Sequence, residues 1–135
     1  MTAVTDTPPP GYAPEEIITG EPTRSAKYKW VNVVDTTIPA GRMVNAVACV
    51  AASTVALVDG LVAHGGPDAS GHPHPGLPWA GCTVLGGTPE EIAAVRDRAA
   101  ASDGTLVVDM PAAAQAQRVY DHYLGELART SPAEL

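Results

Sequence analysis

The sequence predicts a layered α/β domain built around a mostly parallel sheet. Three observations predict this fold class: the chain is 135 residues long, apolar residues make up 45% of it, and its elements alternate as strand, helix, strand, helix, strand, helix. Aromatic residues make up only 4%. The core is therefore expected to consist of small aliphatic side chains, which allow helices to pack closely on a sheet.

The N-terminal segment 1–26 is predicted to be a disordered, proline-rich tail, and residues 27–135 to form the folded domain. The tail carries the run Pro8–Pro10 and few residues that could contribute to a core. Ordered structure is expected to begin at Tyr28–Asp35, where β-branched and aromatic residues are typical of an interior strand.

A long helix is expected after the turn at Pro39. Its apolar residues recur at steps of three and four, at Val44, Val47, Ala48, Ala51, Val55 and Val58. The apolar run Met43–Val58 is shorter than the roughly 20 residues that a membrane span needs. We therefore expect a buried core helix and no contact with a membrane.

The segment Gly60–Pro78 is predicted to be a loop, because it contains five Gly and four Pro in nineteen residues. Loops of this length are more often functional, and the prolines favour a rigid lid over the strand ends. A second strand is expected at Trp79–Leu85 and a third at Thr105–Asp109.

Two further helices follow the second and third strands. Thr88 with Pro89 and Glu91 predicts a helix start, because the Thr oxygen and the Glu carboxylate can satisfy unpaired N–H groups. Pro111 is expected to open the last helix, whose stripe includes Tyr120 and Tyr123. Three strands leave an exposed edge, so we expect a homo-oligomer, most simply a dimer, that covers the edge or this stripe. The alternative is that residues 1–26 fold back along the edge, with Glu15–Thr19 as a strand.

Charge and cysteine content limit the classes of partner and the compartment. The net charge of -7 argues against nucleic acid as a partner, because only eight Lys and Arg are present to contact phosphates. Cys49 and Cys82 lie in apolar runs, and the start of the chain carries no secretory pattern. We expect reduced, buried thiols and a cytoplasmic location.

Polar residues at the predicted strand ends indicate a candidate ligand site. Asp35 and Asp109 each end a strand, and Arg42 and Asn45 lie near the start of the helix after the first. In open α/β sheets ligands collect beyond the carboxyl ends of the strands, so these residues are expected to share a polar pocket. The alternative is that both acids only cap turns.

The proline-rich loop adds His72, His74 and Trp79 to the candidate ligand-binding residues. An H-x-H pair binds metal when both rings face the same way, but Pro73 and Pro75 govern the backbone here. No HExxH or CxxC pattern, dinucleotide fingerprint or P-loop is present. We therefore expect neither a metal nor a cofactor.

Three stretches of the chain resemble a known family. KYKWVNVVDTTIPAGRMVNA, DASGHPHPGLPWAGCTVL and LVVDMPAAAQAQRVYDHY are similar to the uncharacterised bacterial family DUF2000, over roughly residues 27–130. The family resembles the type II peptidyl-tRNA hydrolases in fold. The resemblance implies a mixed four-stranded sheet flanked by helices, and usually a dimer. With the strands read from this sequence, we expect a mixed, mostly parallel sheet of three to four strands. Family members have a further strand after the segment that corresponds to this C-terminus, so either a partner supplies that strand or the sheet edge stays open.

The same resemblance argues against the hydrolase reaction. Asp35 and Asp109 stand where the hydrolases have acids, and Gly41–Arg42 stands where they have Gly-Lys. The hydrolase Gln, His and Thr are replaced by Ala46, Cys49 and Ala113. The expected function is a small binding or accessory domain for a small molecule; the alternative is hydrolysis of a small ester or amide with Asp109 or Asp35 as base.

Overall fold

The computed structural model describes residues 10–135. In this part of the chain it is a mixed α/β domain with four α-helices and a parallel two-stranded sheet beside a short antiparallel hairpin. The strands are β1 (Trp30–Asp35), β2 (Gly66–Pro67), β3 (Pro73–His74) and β4 (Cys82–Gly87). The helices are α1 (Ala40–Leu57), α2 (Pro89–Ala100), α3 (Ala112–Ala116) and α4 (Tyr120–Leu127).

The central sheet consists of β1 and β4 in parallel register, with Trp30 opposite Cys82 and Asp35 opposite Gly87. Helix α1 makes the crossover and packs on β1, while α2 contacts both strands. The predicted start of α2 is confirmed, since the Thr88 hydroxyl accepts a hydrogen bond of 3.2 Å from the Glu91 N–H. The last helix, predicted as one element, is divided into α3 and α4.

The third predicted strand, Thr105–Asp109, is not a strand in this structure. Gly104–Met110 forms no backbone–backbone hydrogen bonds within the described part of the chain. The segment lies on the free side of β1, across a cleft that both line. Its β-branched residues favour an extended backbone, but a ladder requires a partner about 4.8 Å away, and the cleft takes up that space.

Helix α1 differs from the buried core helix that the sequence predicts, because none of its residues is buried. Val44, which belongs to the predicted core stripe, is exposed, and Val47 and Val50 line the cleft without being closely packed. By length and composition alone α1 could cross a membrane. The gap beside β1 therefore explains why an apolar helix packed on a sheet is still accessible.

The closely packed core lies at the amino ends of the strands. Tyr12 is its centre: its ring meets the Trp79 ring edge-on at 4.8 Å and the Tyr28 ring at 5.2 Å. The Tyr12 hydroxyl accepts a hydrogen bond of 3.2 Å from the Tyr28 N–H. The cluster of buried residues consists of Tyr12, Ala26, Val58, Leu61, Trp79 and Ala80.

This core changes the expectation of a disordered tail over residues 1–26. Residues 1–9 lie outside the described part of the chain. From residue 10 onward the segment packs on the domain, with 3-10 turns at Pro14–Glu16 and Thr23–Ser25. The Tyr12 N–H donates to the Asp59 carbonyl at 2.8 Å, and Gly60 (φ 75°) leaves room for the Tyr12 backbone. Tyr12, the one aromatic residue among residues 10–26, therefore anchors this segment to the domain, although the segment's composition is typical of a disordered tail.

The segment Gly60–Pro78, predicted to lack regular structure, forms an antiparallel arm. Its backbone bonds include Ala63 N–H to the Leu77 carbonyl at 3.0 Å, and β2 pairs with β3 near the tip. The glycines make the pairing feasible: a Cβ on Gly76 would collide with the Ala63 carbonyl. Proline excludes long ladders, but it still permits these two-residue strands.

Candidate functional site

A cleft of about 870 Å³ runs along the free side of β1. All six residues of β1 line it. Its other walls are largely apolar and come from α1, α2 and the unpaired segment, through Val47, Val50, Ile92, Val95 and Gly104–Met110. The cleft therefore occupies the position beside β1 where a further strand of the sheet would run.

Backbone groups of β1 that have no hydrogen-bond partner among residues 10–135 face this cleft. The Thr36 N–H donates to the Gly87 carbonyl at 3.1 Å. This bond shows that the even-numbered residues of β1 direct their backbone groups toward β4. Because alternate residues of a parallel strand bond to the same neighbour, Val31, Val33 and Asp35 direct their N–H and C=O groups to the opposite edge. The cleft thus has hydrogen-bonding groups of β1 along one side.

The carboxyl end of the cleft carries the two predicted acids. Asp35 and Asp109 both line it, and Asp35 ends β1. Asp109 is followed in the chain by Gln115, whose bond to the Arg42 carbonyl holds this part of the chain at the start of α1. Asp35 also shapes the turn after β1: its Oδ1 accepts 2.8 Å and 2.6 Å hydrogen bonds from the Thr37 N–H and Oγ1. The turn-capping alternative therefore describes one role of Asp35, and its position at the cleft adds a second.

Gln115 connects Arg42 and Asn45, the other two residues predicted at the strand ends, to this end of the cleft. Its Nε2 donates to the Arg42 carbonyl at 2.8 Å and to Asn45 Oδ1 at 3.3 Å, and Gln115 itself lines the cleft. Arg42 is held here through its backbone. Sequence reasoning missed Gln115, although it is the one polar residue in the alanine-rich α3 and in that respect stands out.

Tyr123 of α4 adds a hydroxyl group near Asp109. Partial burial, and to a lesser degree the negative charge of Asp109, raises the pKa of the Tyr123 hydroxyl above its usual value. Tyr123 therefore stays a neutral hydrogen-bonding group over the physiological pH range.

The amino end of the cleft carries positive charge. Lys27 and Lys29 both line it. Lys27 pairs with Glu16 at 2.8 Å, an interaction that raises the pKa of Lys27, whereas the Lys29 Nζ donates to the neutral Arg24 carbonyl. The cleft is therefore mostly apolar along its length, with Arg96 of α2 also on its wall; it is cationic at one end and anionic at the other.

His72, His74 and Trp79 lie away from the two acids. The arm that carries the histidines joins the end of α1 to the start of β4, so it leaves the sheet at the amino ends of the strands. Asp35 lies at the opposite end of β1, roughly 17 Å away along a six-residue strand. Trp79 belongs to the core, where its Nε1 donates to the Gly60 carbonyl at 2.7 Å. The arm is therefore not a lid over the carboxyl ends.

Asp68 organises the tip of the arm. Its carboxylate accepts hydrogen bonds from the Ser70 hydroxyl and N–H, the His72 N–H and His74 Nε2, at 2.6–3.0 Å. These bonds hold the pKa of Asp68 far below its usual 3.8, and the bond from the Ser70 hydroxyl has the largest effect. Among the described residues no group of three His, Cys, Asp or Glu is placed to hold a metal ion.

The arm tip is predicted to stay ordered in acid. Because the folded pKa of Asp68 is depressed, its contribution is fully present well above pH 3.8 and is lost only as the pH falls below that value toward the folded pKa. We expect the Ser70 and His72 amide resonances to keep their folded positions at pH 3. In Asp68→Ala, which has no side-chain acceptor, they should move to unstructured positions at every pH, and equal spectra for the two proteins would contradict this role.

The two cysteines are free thiols, and both residues are exposed, in contrast to the buried thiols that the sequence predicts. Cys82 Sγ accepts a hydrogen bond of 3.0 Å from Nδ2 of the buried Asn32. Partial burial of the sulfur raises the pKa of the Cys82 thiol, although the residue as a whole is exposed. A raised thiol pKa argues against a nucleophilic role for Cys82.

Comparison with known proteins identifies a family. Searches of curated proteins and of solved structures find no match. The model of the family described as "Protein of unknown function (DUF2000)" matches residues 28–135, which include the β1–β4 sheet, helices α1 to α4, and Lys29, Asp35 and Asp109 of the cleft. The match confirms the family that the three sequence stretches resemble. The chain belongs to the DUF2000 family.

Proposed function

We propose that this protein is a small cytoplasmic binding domain that holds an elongated, largely apolar ligand in the cleft beside β1. The cleft of about 870 Å³ carries the proposal, since ligand pockets measure about 300–1,000 Å³ and are mostly apolar with a few polar groups. Asp35, Asp109 and Gln115 would orient the ligand at one end and Lys29 at the other. The free thiols support a reducing compartment.

The composition of the cleft supports binding over catalysis. Of the described residues that line it, none is His, Cys or Ser, although Thr, Tyr and Lys side chains are present beside the two carboxylates. Hydrolysis of a small ester or amide has one observation in its favour, namely that Asp35 and Asp109 share one end of the cleft. Turnover of a nitrophenyl ester that is lost in Asp109→Asn would establish that alternative.

Filling the cleft is expected to abolish binding. Ala46 of α1 lines the cleft, so Ala46→Phe places a ring in the ligand's space, whereas Ala52→Phe puts the same ring on an exposed position of the same helix. N-Acyl-amino acids at saturating concentration should raise the Tm of the wild type and of Ala52→Phe by roughly 5–10 °C, and that of Ala46→Phe hardly at all.

The thermal-shift screen includes nucleotides and divalent metal ions as comparisons. The proposed function predicts no stabilisation by either class. Equal shifts in the two Phe variants, or no shift with any acyl compound in the wild type, would contradict the proposed site.

We further propose that the protein self-associates. The chain exposes 9763 Å², against about 6,600 Å² for a folded monomer of 13.8 kDa. Residues 1–9, even if fully exposed, account for roughly 1,300 Å² of the excess. The remainder is of the size that stable dimers bury. The outer edge of β4, with Val84 53% exposed, and α4, with Tyr120 71% exposed, are the candidate surfaces.

A charge on the outer strand is expected to separate the protomers. Val84→Lys places an ammonium group on β4, and charged edge residues oppose strand pairing between molecules. Leu77→Lys is the matched control, because Leu77 is 76% exposed but lies in the arm. Light scattering should give a dimer for the wild type and Leu77→Lys and a monomer for Val84→Lys. A wild-type monomer would exclude self-association.

The wider sheet implied by the resemblance also belongs to the proposal. A sheet of three to four strands, as in the type II peptidyl-tRNA hydrolases, extends beyond the β1–β4 pair on the side of the cleft. The position of Gly104–Met110 along that side supports such an extension.

A further inference from the structure

We propose that the natural ligand of the cleft is an extended polypeptide segment of about six residues, bound as an additional strand between β1 and Gly104–Met110. This inference rests on the proposed binding function and specifies the chemical class of the ligand. Three observations carry it: the dimensions of the cleft, the unpaired backbone on both of its sides, and the charges at its two ends.

The cleft has the size of one strand. A strand of six residues is about 20 Å long, occupies about 4.8 Å between neighbours, and fills a layer about 10 Å thick, which gives roughly 950 Å³. The observed volume is about 870 Å³, and the whole length of β1 lines it. An apolar small molecule of this volume would fill the same space, but it would leave the backbone groups described next without partners.

Both long sides of the cleft offer backbone hydrogen bonds. On one side, Val31, Val33 and Asp35 direct their N–H and C=O groups away from β4. On the other side, Gly104–Met110 lacks backbone–backbone bonds within the described residues. Unpaired backbone groups in an apolar cleft are costly, and an inserted strand can satisfy both rows at once.

The charges at the two ends of the cleft relate the direction of an inserted strand to the terminal charges of the guest. Lys27 and Lys29 lie at the amino end of β1, and Asp35 and Asp109 lie at its carboxyl end. A guest with a basic N-terminal residue and an acidic C-terminal residue matches this pattern only when it runs antiparallel to β1. Its central residues are expected to be apolar, because apolar side chains of both α1 and α2 line the cleft, among them Val47 and Ile92.

Three synthetic peptides test the inference on the full chain. The first is acetyl-Lys-Val-Ile-Val-Thr-Val-Glu-amide. The second has the same sequence with N-methyl groups on Ile and Thr, which removes backbone donors and keeps the side chains. The third exchanges the terminal Lys and Glu. We expect the first to bind and the second to bind at least about tenfold more weakly, because the second loses backbone hydrogen bonds. The third pairs its charges only when it runs parallel to β1, so we expect it to bind in the reversed direction, and binding in the same direction as the first would contradict the role of the terminal charges.

Amide exchange measured by NMR identifies the bonds formed. Binding of the first peptide should slow exchange at Val31, Val33 and Asp35 at least about tenfold, while the amides of α4 keep their rates. Equal binding of the N-methylated peptide, or binding without this protection, would overturn the strand inference and leave the proposed cleft intact. Protection of these amides without peptide would show that Gly104–Met110 itself closes on β1, which also overturns it.

The acyl compounds of the thermal-shift screen separate the two proposals. If they stabilise the protein and the peptides do not bind, the binding function stands and the polypeptide ligand is excluded. If neither acyl compounds nor peptides bind, both proposals fail.

Discussion

Replacing Tyr12 with Ala is expected to destabilise the domain by about 3–5 kcal/mol, the range for deleting a large buried aromatic side chain. Tyr12 is only 6% exposed, and its ring contacts both Trp79 and Tyr28. Folded domains have a total stability of about 5–15 kcal/mol, so the loss is a large share of it. Urea unfolding followed by circular dichroism measures the change.

Tyr12→Phe is the matched control for this variant. It keeps the ring and removes only the hydroxyl that accepts from the Tyr28 N–H, so the expected loss is about 1 kcal/mol. A Tyr12→Ala protein as stable as the wild type would show that residues 10–26 are a dispensable tail, as their composition suggests.

Replacing Trp79 with Ala is expected to have an effect of similar size, because Trp79 is 8% exposed and belongs to the same cluster. Trp79→Phe should lower the free energy of unfolding by less, about 1–3 kcal/mol, since the Gly60 carbonyl then lacks its indole donor. Because the Tyr12 and Trp79 rings are 4.8 Å apart, the double variant should lose less than the sum of the two single variants.

These Trp79 variants also separate a core role from a ligand role. If Trp79 is only a core residue, replacing it lowers the urea midpoint. The affinity for acyl-amino acids, measured at a temperature where the variant is folded, should then stay nearly unchanged. A variant with wild-type stability but weakened binding would instead place Trp79 in the ligand site, as the sequence suggested.

Local signals in the sequence predict the helix starts and the first strand well. Thr88, Pro89 and Glu91 act within one turn, so the start of α2 follows from short-range hydrogen bonds. The β-branched run before Asp35 likewise forms β1. The start of α2 involves only groups that are close in sequence, whereas β1 follows from its local β-branched pattern although its partner strand is β4.

Features that depend on distant contacts could not be predicted in the same way. Tyr12 is buried because Tyr28 and Trp79 meet it, and no local pattern reports those contacts. Thr105–Asp109 has the composition of a strand, but within the described part of the chain its backbone pairs with no neighbour. The β-propensity of a segment describes the backbone conformation that it favours, whereas strand pairing also requires the edge of a neighbouring strand within hydrogen-bonding distance.

The candidate site was predicted in part. Asp35 and Asp109 share an end of the cleft because both end segments that run beside each other. The histidines were assigned to the same site from their loop composition, but a connection from a helix to a parallel strand lies at the amino ends. Connectivity, more than residue type, separates His72 and His74 from the acids.

Valine methyl NMR of the wild-type chain, titrated with an N-acyl-amino acid, tests most directly whether the cleft beside β1 binds ligand. The chain contains internal controls, because some valines line the cleft (Val33, Val47 and Val108) and others are exposed elsewhere (Val44, Val62 and Val84). The proposed function predicts saturable shifts of the first three methyl pairs with the second three unchanged. Shifts confined to the exposed valines, or no saturable shift at Val33, Val47 and Val108, would contradict it.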